Sequence, residues 1–250
     1  MSDAGRLATY DGVEVATLVA AAGVPSLEVH AALTSTLDRV HLLAASKASA
    51  GTAVVAEWQS AGRGQHGRAW HSEAGAGVWL SVLERPVDSS GVGVLSLRLG
   101  LLLANALAPY SRRPIRLKWP NDLWTDAGKL AGILVEARWR GDTLEWVAVG
   151  VGVNVAVRAA DPVAIGLDDG VTRAEVLVAT ARAIRAAAAE TGLLSEAELS
   201  AWGARDLARG RAITEPVVGI VRGLRADGSL MVQGSGGIQT VMTGSLRFAS

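Results

Sequence analysis

Short apolar runs and helical stripes alternate along the chain and predict both strands and helices. Thr52–Trp58 and Gly77–Arg85 are short and apolar, as buried strands are. Ala131–Trp139 and Thr143–Val151 flank an Arg-Gly-Asp turn and predict a hairpin. Apolar residues at helical spacing predict four helices, at about residues 35–50, 91–110, 173–190 and 195–208.

Short strands with glycine turns replace this pattern near the C-terminus. Between Pro216 and Thr243 they predict a small antiparallel, barrel-like module. We therefore expect two domains, residues 1–210 and 211–250. Residues 1–33 show weak periodicity and no helix-turn-helix pattern with a basic second helix, so a DNA-binding domain is not predicted there.

Composition limits the classes of function. Half of the 250 residues are apolar, 19% are charged and the formal net charge is zero. Such a chain can bury a substantial core, and it lacks the concentrated basic surface that nucleic-acid binding requires. Cysteine is absent and the four histidines lack zinc-type spacing, so neither a disulfide nor a zinc site is predicted.

The sequence also predicts a soluble, cytoplasmic protein with no membrane partner. Its N-terminus lacks the charged-then-apolar pattern of a signal peptide. The most apolar segment, Leu99–Ala108, is too short to span a bilayer.

The stretch Glu57–Trp70 carries the strongest candidate chemistry, because it concentrates Gly62, Gly64, Gly67, Arg63 and Arg68. Glycines let a ligand approach the backbone and arginines add bidentate positive charge, which together predict a loop around a phosphate or carboxylate. A surface hairpin is the simpler alternative. The G-x-G-x-x-G match favours neither a dinucleotide site nor a kinase, since a predicted strand follows it and no HRD or DFG motif occurs downstream.

This loop is one of several motifs that occur in a characteristic order. They are Ser35-Thr36, Gln59, Gly62–Arg68, Lys118–Asp122 (KWPND), Gly128–Leu134 (GKLAGIL) and Gly150–Asn154 (GVGVN). From about Thr34 to the C-terminus the chain resembles the biotin protein ligases (biotin–[acetyl-CoA-carboxylase] ligases) in their short form without a DNA-binding domain. The resemblance implies an α+β fold, with a mixed, largely antiparallel sheet flanked by helices, as in class II synthetases, followed by a small SH3-like β-barrel.

The resemblance also implies a two-step reaction. The biotin carboxylate attacks the α-phosphorus of MgATP, giving biotinyl-5′-AMP and pyrophosphate. A lysine amine on the biotin carboxyl carrier domain of a biotin-dependent carboxylase then attacks the mixed anhydride. The expected small molecules are therefore ATP, Mg²⁺ and biotin, the expected partner is the carrier domain, and the expected state is a monomer or weak homodimer.

Site roles follow from the same resemblance, and they suit a reaction in which cations must offset the repulsion of two anions. The implied catalytic residues are Arg63, Lys118, Asp122 and Lys129. Arg63 and Lys129 are expected nearest the carboxylate and acyl phosphate, and Asp122 is expected to position Lys118 and the metal or the incoming amine. The implied biotin-binding residues are Ser35, Thr36, Gln59, Gly62, Arg63, Lys129, Gly132 and Gly152. The implied nucleotide-binding residues are Arg63, Gly64, Arg68, Trp70, Asn121 and Asn154.

Simpler structural roles remain open for several of these residues. Ser35 or Thr36 can simply cap the helix that follows, Asp122 can be a turn former, Lys129 a solvated strand-end lysine and Trp70 a core aromatic. Two other functions also remain open: a lipoyl or octanoyl transferase of the same fold, and a biotin or biotinyl-adenylate sensor without efficient transfer.

Two positions depart from the family pattern. Leu37 stands where an asparagine usually follows Ser-Thr, and a lost bond to a buried polar partner costs roughly 1–3 kcal/mol. Gln65 stands where a second arginine commonly follows Gly64, and it brings no charge. We expect Gln65 to weaken the hold on the acyl-adenylate, which then escapes or reacts with free amines more readily.

Gln65→Arg is expected to lengthen the retention of biotinyl-5′-AMP by about tenfold or more, because a hydrogen bond to a charged group contributes roughly 1.5–3 kcal/mol. The measurement is the release rate of intermediate formed in a single turnover. Retention no longer than that of the wild type would contradict the prediction.

Overall fold

The computed structural model describes residues 5–156 and 164–249. A hairpin of β1 (Thr9–Tyr10) and β2 (Val13–Glu14) precedes the strands of the main sheet, which are β3 (Leu27–Leu33), β4 (Ala53–Gln59), β5 (Gly77–Glu84), β6 (Arg116–Lys118), β7 (Asp122–Trp124), β8 (Lys129–Arg140) and β9 (Thr143–Asn154). Their order is β3-β4-β5-β9-β8-β7-β6. The pair β3–β4 is parallel and the other pairs are antiparallel, so the expected mixed sheet is confirmed.

Helices flank this sheet, as expected for the α+β class. They are α1 (Val15–Ala22), α2 (Thr36–Ala45), α3 (Leu95–Leu107), α4 (Arg173–Ala189) and α5 (Glu196–Arg205). The four helices predicted from periodicity correspond to α2–α5, with α5 capped by Ser195 as part of a capping box. The sequence did not predict α1 or β3. With eight residues, α1 is too short for its apolar spacing to repeat clearly.

Strand alternation gives the sheet two faces that are covered unequally. Helices α1, α3 and α4 cover one face, where Val149, Val151 and Val153 join the main core. On the other face α2 packs over β4, β5 and β9 in a smaller apolar cluster. Gly150 and Gly152 alternate with these valines and therefore face the side that α2 covers only in part. A concave floor is left there.

A second sheet follows at the C-terminus, formed by β10 (Ala212–Glu215), β11 (Gly219–Leu224), β12 (Leu230–Gly234), β13 (Gly237–Val241) and β14 (Arg247–Phe248). Its strands are antiparallel in the order β13-β12-β11-β10-β14. Its buried residues Val221, Leu230 and Val232 belong to the same apolar cluster as α3. The antiparallel sheet is as expected, whereas the division into two domains stays a prediction.

The helical stretch Val92–Tyr110 is long and apolar enough to cross a membrane by length and composition. This helical stretch is longer than Leu99–Ala108, the segment that the sequence analysis considered too short to span a bilayer. Of this stretch 56% is buried, and α3 within it packs against α4 and β8. Such burial and packing are typical of a helix in the core of a protein.

A buried carboxyl group on β5 links stability to pH. Glu84 is 4% exposed, accepts a hydrogen bond from Arg185 Nη1 at 2.7 Å, and has no partner for Oε1. Burial raises the pKa of Glu84 to about 7, outweighing the opposing effect of Arg185. Because the fold disfavours the ionised form, this group makes the protein less stable as the pH rises from the unfolded-state pKa of 4.5 to about 7.

Glu84→Gln is expected to remove the loss of stability that ionisation of this carboxyl causes as the pH rises, which amounts to at most about 3 kcal/mol. The measurement is the free energy of unfolding in urea at pH 5 and pH 8 for both proteins. The exposed Glu73→Gln serves as the control. If Glu84→Gln and the wild type lose the same stability between the two pH values, the buried carboxyl is not the cause.

Candidate active site

A cavity of about 290 Å³ opens on the glycine-bearing face of the main sheet. The start of α2, the loop after β4, the β6–β7 turn and the end of the chain form its walls. The predicted site residues that line it are Ser35, Thr36, Gln59, Arg63, Gly64, Arg68, Trp70, Lys118, Asn121, Asp122, Lys129, Gly132 and Gly152. The structure does not bring Gly62 or Asn154 to the lining. Asn154 instead donates its side-chain amide to the Lys129 carbonyl at 3.0 Å.

Hydroxyl and amide groups form one end of the cavity. Gln59 Oε1 accepts hydrogen bonds from the Thr36 backbone N–H at 2.8 Å and from Thr36 Oγ1 at 3.1 Å. The buried Ser81 places its Oγ 2.8 Å from Thr36 Oγ1. Ser35 holds the predicted N-cap position but makes no side-chain capping bond. The helix therefore begins where expected, with the Gln59 side chain bonded to its first N–H.

Leu37 adds an apolar contact beside this end of the cavity. It is buried, and a Cβ on Gly150 would lie 2.9 Å from Leu37 Cδ1. Leu37 also belongs to the small apolar cluster under α2. The departure from the family's asparagine thus exchanges hydrogen-bonding capacity for packing.

The glycine–arginine loop folds back on itself. The Gly64 N–H donates to the Arg68 carbonyl at 2.8 Å, and the Trp70 N–H donates to the Gly62 carbonyl at 2.8 Å. A Cβ on Gly62 would lie within 2.5 Å of the Trp70 carbonyl oxygen, which explains the glycine. Since these two amides are satisfied inside the loop, they do not point at an anion in this conformation, and the predicted binding of an anion by the loop stays a prediction.

Arg63 is paired with protein carboxylates. Its Nη2 lies 2.9 Å from Asp38 Oδ1 and 3.0 Å from Glu136 Oε2. His41 Nε2 also bonds Glu136 at 2.7 Å, while His41 Nδ1 accepts from Trp146 at 3.0 Å. The bond from His41 is the main cause that lowers the pKa of Glu136, with the charge of Arg63 adding to it against burial. Two protein carboxylates thus hold the Arg63 guanidinium, and its role beside a substrate carboxylate stays a prediction.

Asp122 pairs with a different lysine from the one expected. Lys129 Nζ lies 2.8 Å from Asp122 Oδ1 and 5.1 Å from the centre of the Trp70 ring. Asp122 is the cross-strand partner of Gly132, and a register shift follows it on β7. The ion pair of Asp122 holds Lys129. Lys118 is the cross-strand partner of Asp122 on β6, so the positioning of Lys118 by Asp122 stays a prediction.

Lys118 is held by aromatic rings. Its Nζ lies 4.9 Å from the Trp124 ring centre and 5.6 Å from that of Phe248. Within the described residues no carboxylate lies within 4.0 Å of this ammonium. Burial, together with the positive charge of Lys129 and its neighbours, lowers the pKa of Lys118 against the attraction of Asp122.

Trp70 occupies the glycine floor. A Cβ on Gly152 would lie within 2.5 Å of Trp70 Cζ2, and one on Gly132 within 2.7 Å of Trp70 Cζ3. The Trp79 ring meets it edge-on at 6.2 Å, and the Trp70 indole N–H has no hydrogen-bond partner. The glycines thus admit an indole ring. Trp70 is half-buried, packs on the glycine floor and lines the cavity.

The cavity therefore suits an elongated ligand with a neutral polar head and an anionic end. Gln59 and Ser81 lie on β4 and β5, whereas Lys129 and Lys118 lie on β8 and β6, beyond β9 in the sheet. No group of three or more potential metal ligands occurs in the described residues. A Mg²⁺ ion would therefore rely mainly on nucleotide phosphates, with Asp122 as the nearby carboxylate, and such a site is typical of this ion.

Comparisons with known proteins agree with this geometry. Residues 30–154 match the model of the biotin/lipoate A/B protein ligase family, which is half of the chain. The chain belongs to this family. The bifunctional ligase/repressor BirA of Escherichia coli is 32% identical over 86% of this chain and 70% of its own length. The biotin–[acetyl-CoA-carboxylase] ligase of Mycobacterium tuberculosis is 42% identical over 60% of this chain and 58% of its own.

Solved structures of biotin protein ligases share the fold. The biotin protein ligase from Aquifex aeolicus in complex with biotin and ATP superposes with a TM-score of 0.76 at 28% identity, covering 90% of this chain and 100% of that one. Family membership and fold, as expected from the motifs, are thus confirmed. The roles of individual residues stay predictions.

The family motifs did not indicate several residues that lie in the cavity wall or beside the cavity. Ser81 is a lone hydroxyl in the apolar strand β5, a signal that could have been noticed. Glu136 follows the GKLAGIL motif on β8, but its bond to Arg63 spans 73 residues. Glu215, Leu246 and Arg247 lie beyond the family match and still line the cavity.

Gly152→Ala is expected to lower the free energy of unfolding by about 1–3 kcal/mol, because the added methyl overlaps the Trp70 ring. In a Trp70→Ala background the same change is expected to cost much less. Gly93→Ala is the matched control, since a Cβ there meets nothing within 4 Å. An equal cost of Gly152→Ala in both backgrounds would show that Trp70 does not occupy the floor.

Proposed function

We propose that this chain is an ATP-dependent biotin–protein ligase. It activates biotin to biotinyl-5′-AMP with release of pyrophosphate and then transfers biotin to a lysine of a carboxyl carrier domain with release of AMP. The observation that carries the proposal is a cavity with a neutral hydrogen-bonding end at Thr36, Gln59 and Ser81 and lysines elsewhere in its wall. The Aquifex relative solved with biotin and ATP supports it.

The neutral end favours biotin over other acids. Serine and threonine hydroxyls and the Gln59 amide can donate to and accept from a ureido ring, and buried polar groups require such partners. A dithiolane ring, as in lipoate, offers no comparable hydrogen bonds. Leu37 and the glycine floor supply apolar contact for the ring and the alkyl chain.

The cations serve the activation step. Lys129 and Lys118 stabilise the charge on the carboxylate and the α-phosphate as they approach, because positive groups in a water-poor cavity act strongly on developing charge. Asp122 keeps Lys129 in place before the substrates bind. Lys129 can exchange this ion pair for a phosphate of the ligand, and Asp122 would then be the nearby carboxylate available to hold a magnesium ion.

The second step requires access for a carrier lysine. An open groove of about 820 Å³ adjoins the cavity between the loop at residues 60–69 and the C-terminal segments around Gly228 and Met242. It shares Arg63, Arg68 and Trp119 with the cavity lining. An amine entering there would reach the adenylate from the solvent side. Use of ATP also fits the cytoplasmic location inferred from the sequence.

The deciding experiment is biotin-dependent exchange of labelled pyrophosphate into ATP. The wild type is expected to show exchange with biotin and little with lipoate. Binding of biotin without exchange would instead support a sensor, and exchange with lipoate would support the related acyl transfer. Incorporation of biotin into a purified carrier domain then tests the second step.

Lys129→Gln is expected to lower the exchange rate by roughly 10²–10³-fold, because it removes a cation placed at the developing charge. Lys47→Gln is the matched control, since Lys47 is exposed and lies outside the cavity. Equal exchange rates for Lys129→Gln and Lys47→Gln would show that Lys129 does not take part in the activation of biotin.

A further inference from the structure

Phe248 brings the C-terminal sheet to a lysine of the active site. It is the single phenylalanine of the chain and lies on the edge strand β14. Its ring centre is 5.6 Å from Lys118 Nζ and 3.6 Å from the Arg211 guanidinium carbon. Pairing with Ile213 on β10 and the bond from the Ala249 N–H to the Ala212 carbonyl at 3.0 Å fix the strand that carries it.

Lys118 depends on such a contact because no ion pair fixes it. Lys129 is fixed by Asp122 and Arg63 by two carboxylates. For Lys118, the aromatic faces of Trp124 and Phe248 provide the cation–π contacts among the described residues. An ammonium without a carboxylate remains free to bind an anion, yet a flexible lysine side chain requires contacts that keep it in the cavity.

The C-terminal sheet also holds the turn that carries Lys118. The Trp119 indole N–H donates to the Gly228 carbonyl at 3.0 Å. The Leu207 N–H, just before the second sheet, donates to the Leu117 carbonyl at 2.8 Å. Contacts on both sides of Lys118 therefore fix the backbone, and Phe248 acts on the side chain itself.

We propose that Phe248 is a positioning residue that holds the Lys118 ammonium toward the phosphates of ATP. The C-terminal sheet thereby takes part in the activation step although it lies beyond the family match at residues 30–154. This inference rests on the proposed function only in taking ATP as the ligand. Its chemistry is a cation–π contact, which persists in any aromatic substitute.

Phe248→Leu keeps an apolar side chain and removes the ring, whereas Phe248→Tyr keeps the ring. We expect Phe248→Leu to raise the KM and the dissociation constant for ATP about three- to tenfold, and Phe248→Tyr to stay within about twofold of the wild type. The KM for biotin is expected to stay unchanged. Val241→Ala trims a half-buried side chain on β13, the edge strand opposite β14, and is the structural control, which is expected to leave ATP affinity unchanged.

Calorimetric titration with ATP in a Lys118→Met background makes the test specific. There, Phe248→Leu is expected to have little further effect, because the ring acts through the ammonium. Unchanged ATP affinity in Phe248→Leu, an equal loss in Phe248→Tyr, or an equal loss without Lys118 would each overturn the inference. A wild type that binds ATP but shows no biotin-dependent exchange would contradict the proposed ligase function and leave the titrations to decide the role of Phe248.

Discussion

The site depends on the alternation of side chains along two central strands. On β8 and β9 the residues Ala131, Ile133, Val149, Val151 and Val153 point to the helix-covered face and join the main core, whereas their neighbours Gly132, Gly150 and Gly152 face the side of α2. Because α2 covers that side only in part, the missing side chains leave a floor on which Trp70 and Leu37 can lie. A single methyl group at such a position overpacks a close contact at a cost of about 1–3 kcal/mol. The sequence G-V-G-V-N therefore serves the core through its valines and the cavity through its glycines.

The cations around this floor are held in three different ways. Arg63 is bound by Asp38 and Glu136, Lys129 by Asp122, and Lys118 by aromatic rings. A half-buried cation loses solvation, and a nearby carboxylate offsets that loss when no substrate is present. A phosphate can replace such a carboxylate with little net change in charge. Among the described residues Lys118 has no ion-paired carboxylate to release, which makes it the most direct anion contact of the three.

Sequence reasoning succeeded where the signal is local and failed where it is tertiary. The order of the motifs led to most of the cavity lining, and the Arg-Gly-Asp turn led to the β8–β9 hairpin. The motifs did not reveal the ion pair of Asp122 with Lys129, because that contact forms between side chains of the paired strands β7 and β8. The contacts of Arg63 with Glu136 and of Lys118 with Phe248 join residues far apart in the chain. No local pattern marks such pairs.

The C-terminal sheet is part of the same physical unit as the site. Its buried residues Val221, Leu230 and Val232 belong to the core that also contains α3 and the valines of β9. Glu215 and Arg247 line the cavity, and Trp119 of the β6–β7 turn is bonded to this sheet through Gly228. Loosening the second sheet would therefore remove one wall of the cavity and free the turn that carries Lys118. The geometry of the anion-binding end is thus set by tertiary contacts between the two sheets, and the motif residues alone do not determine it.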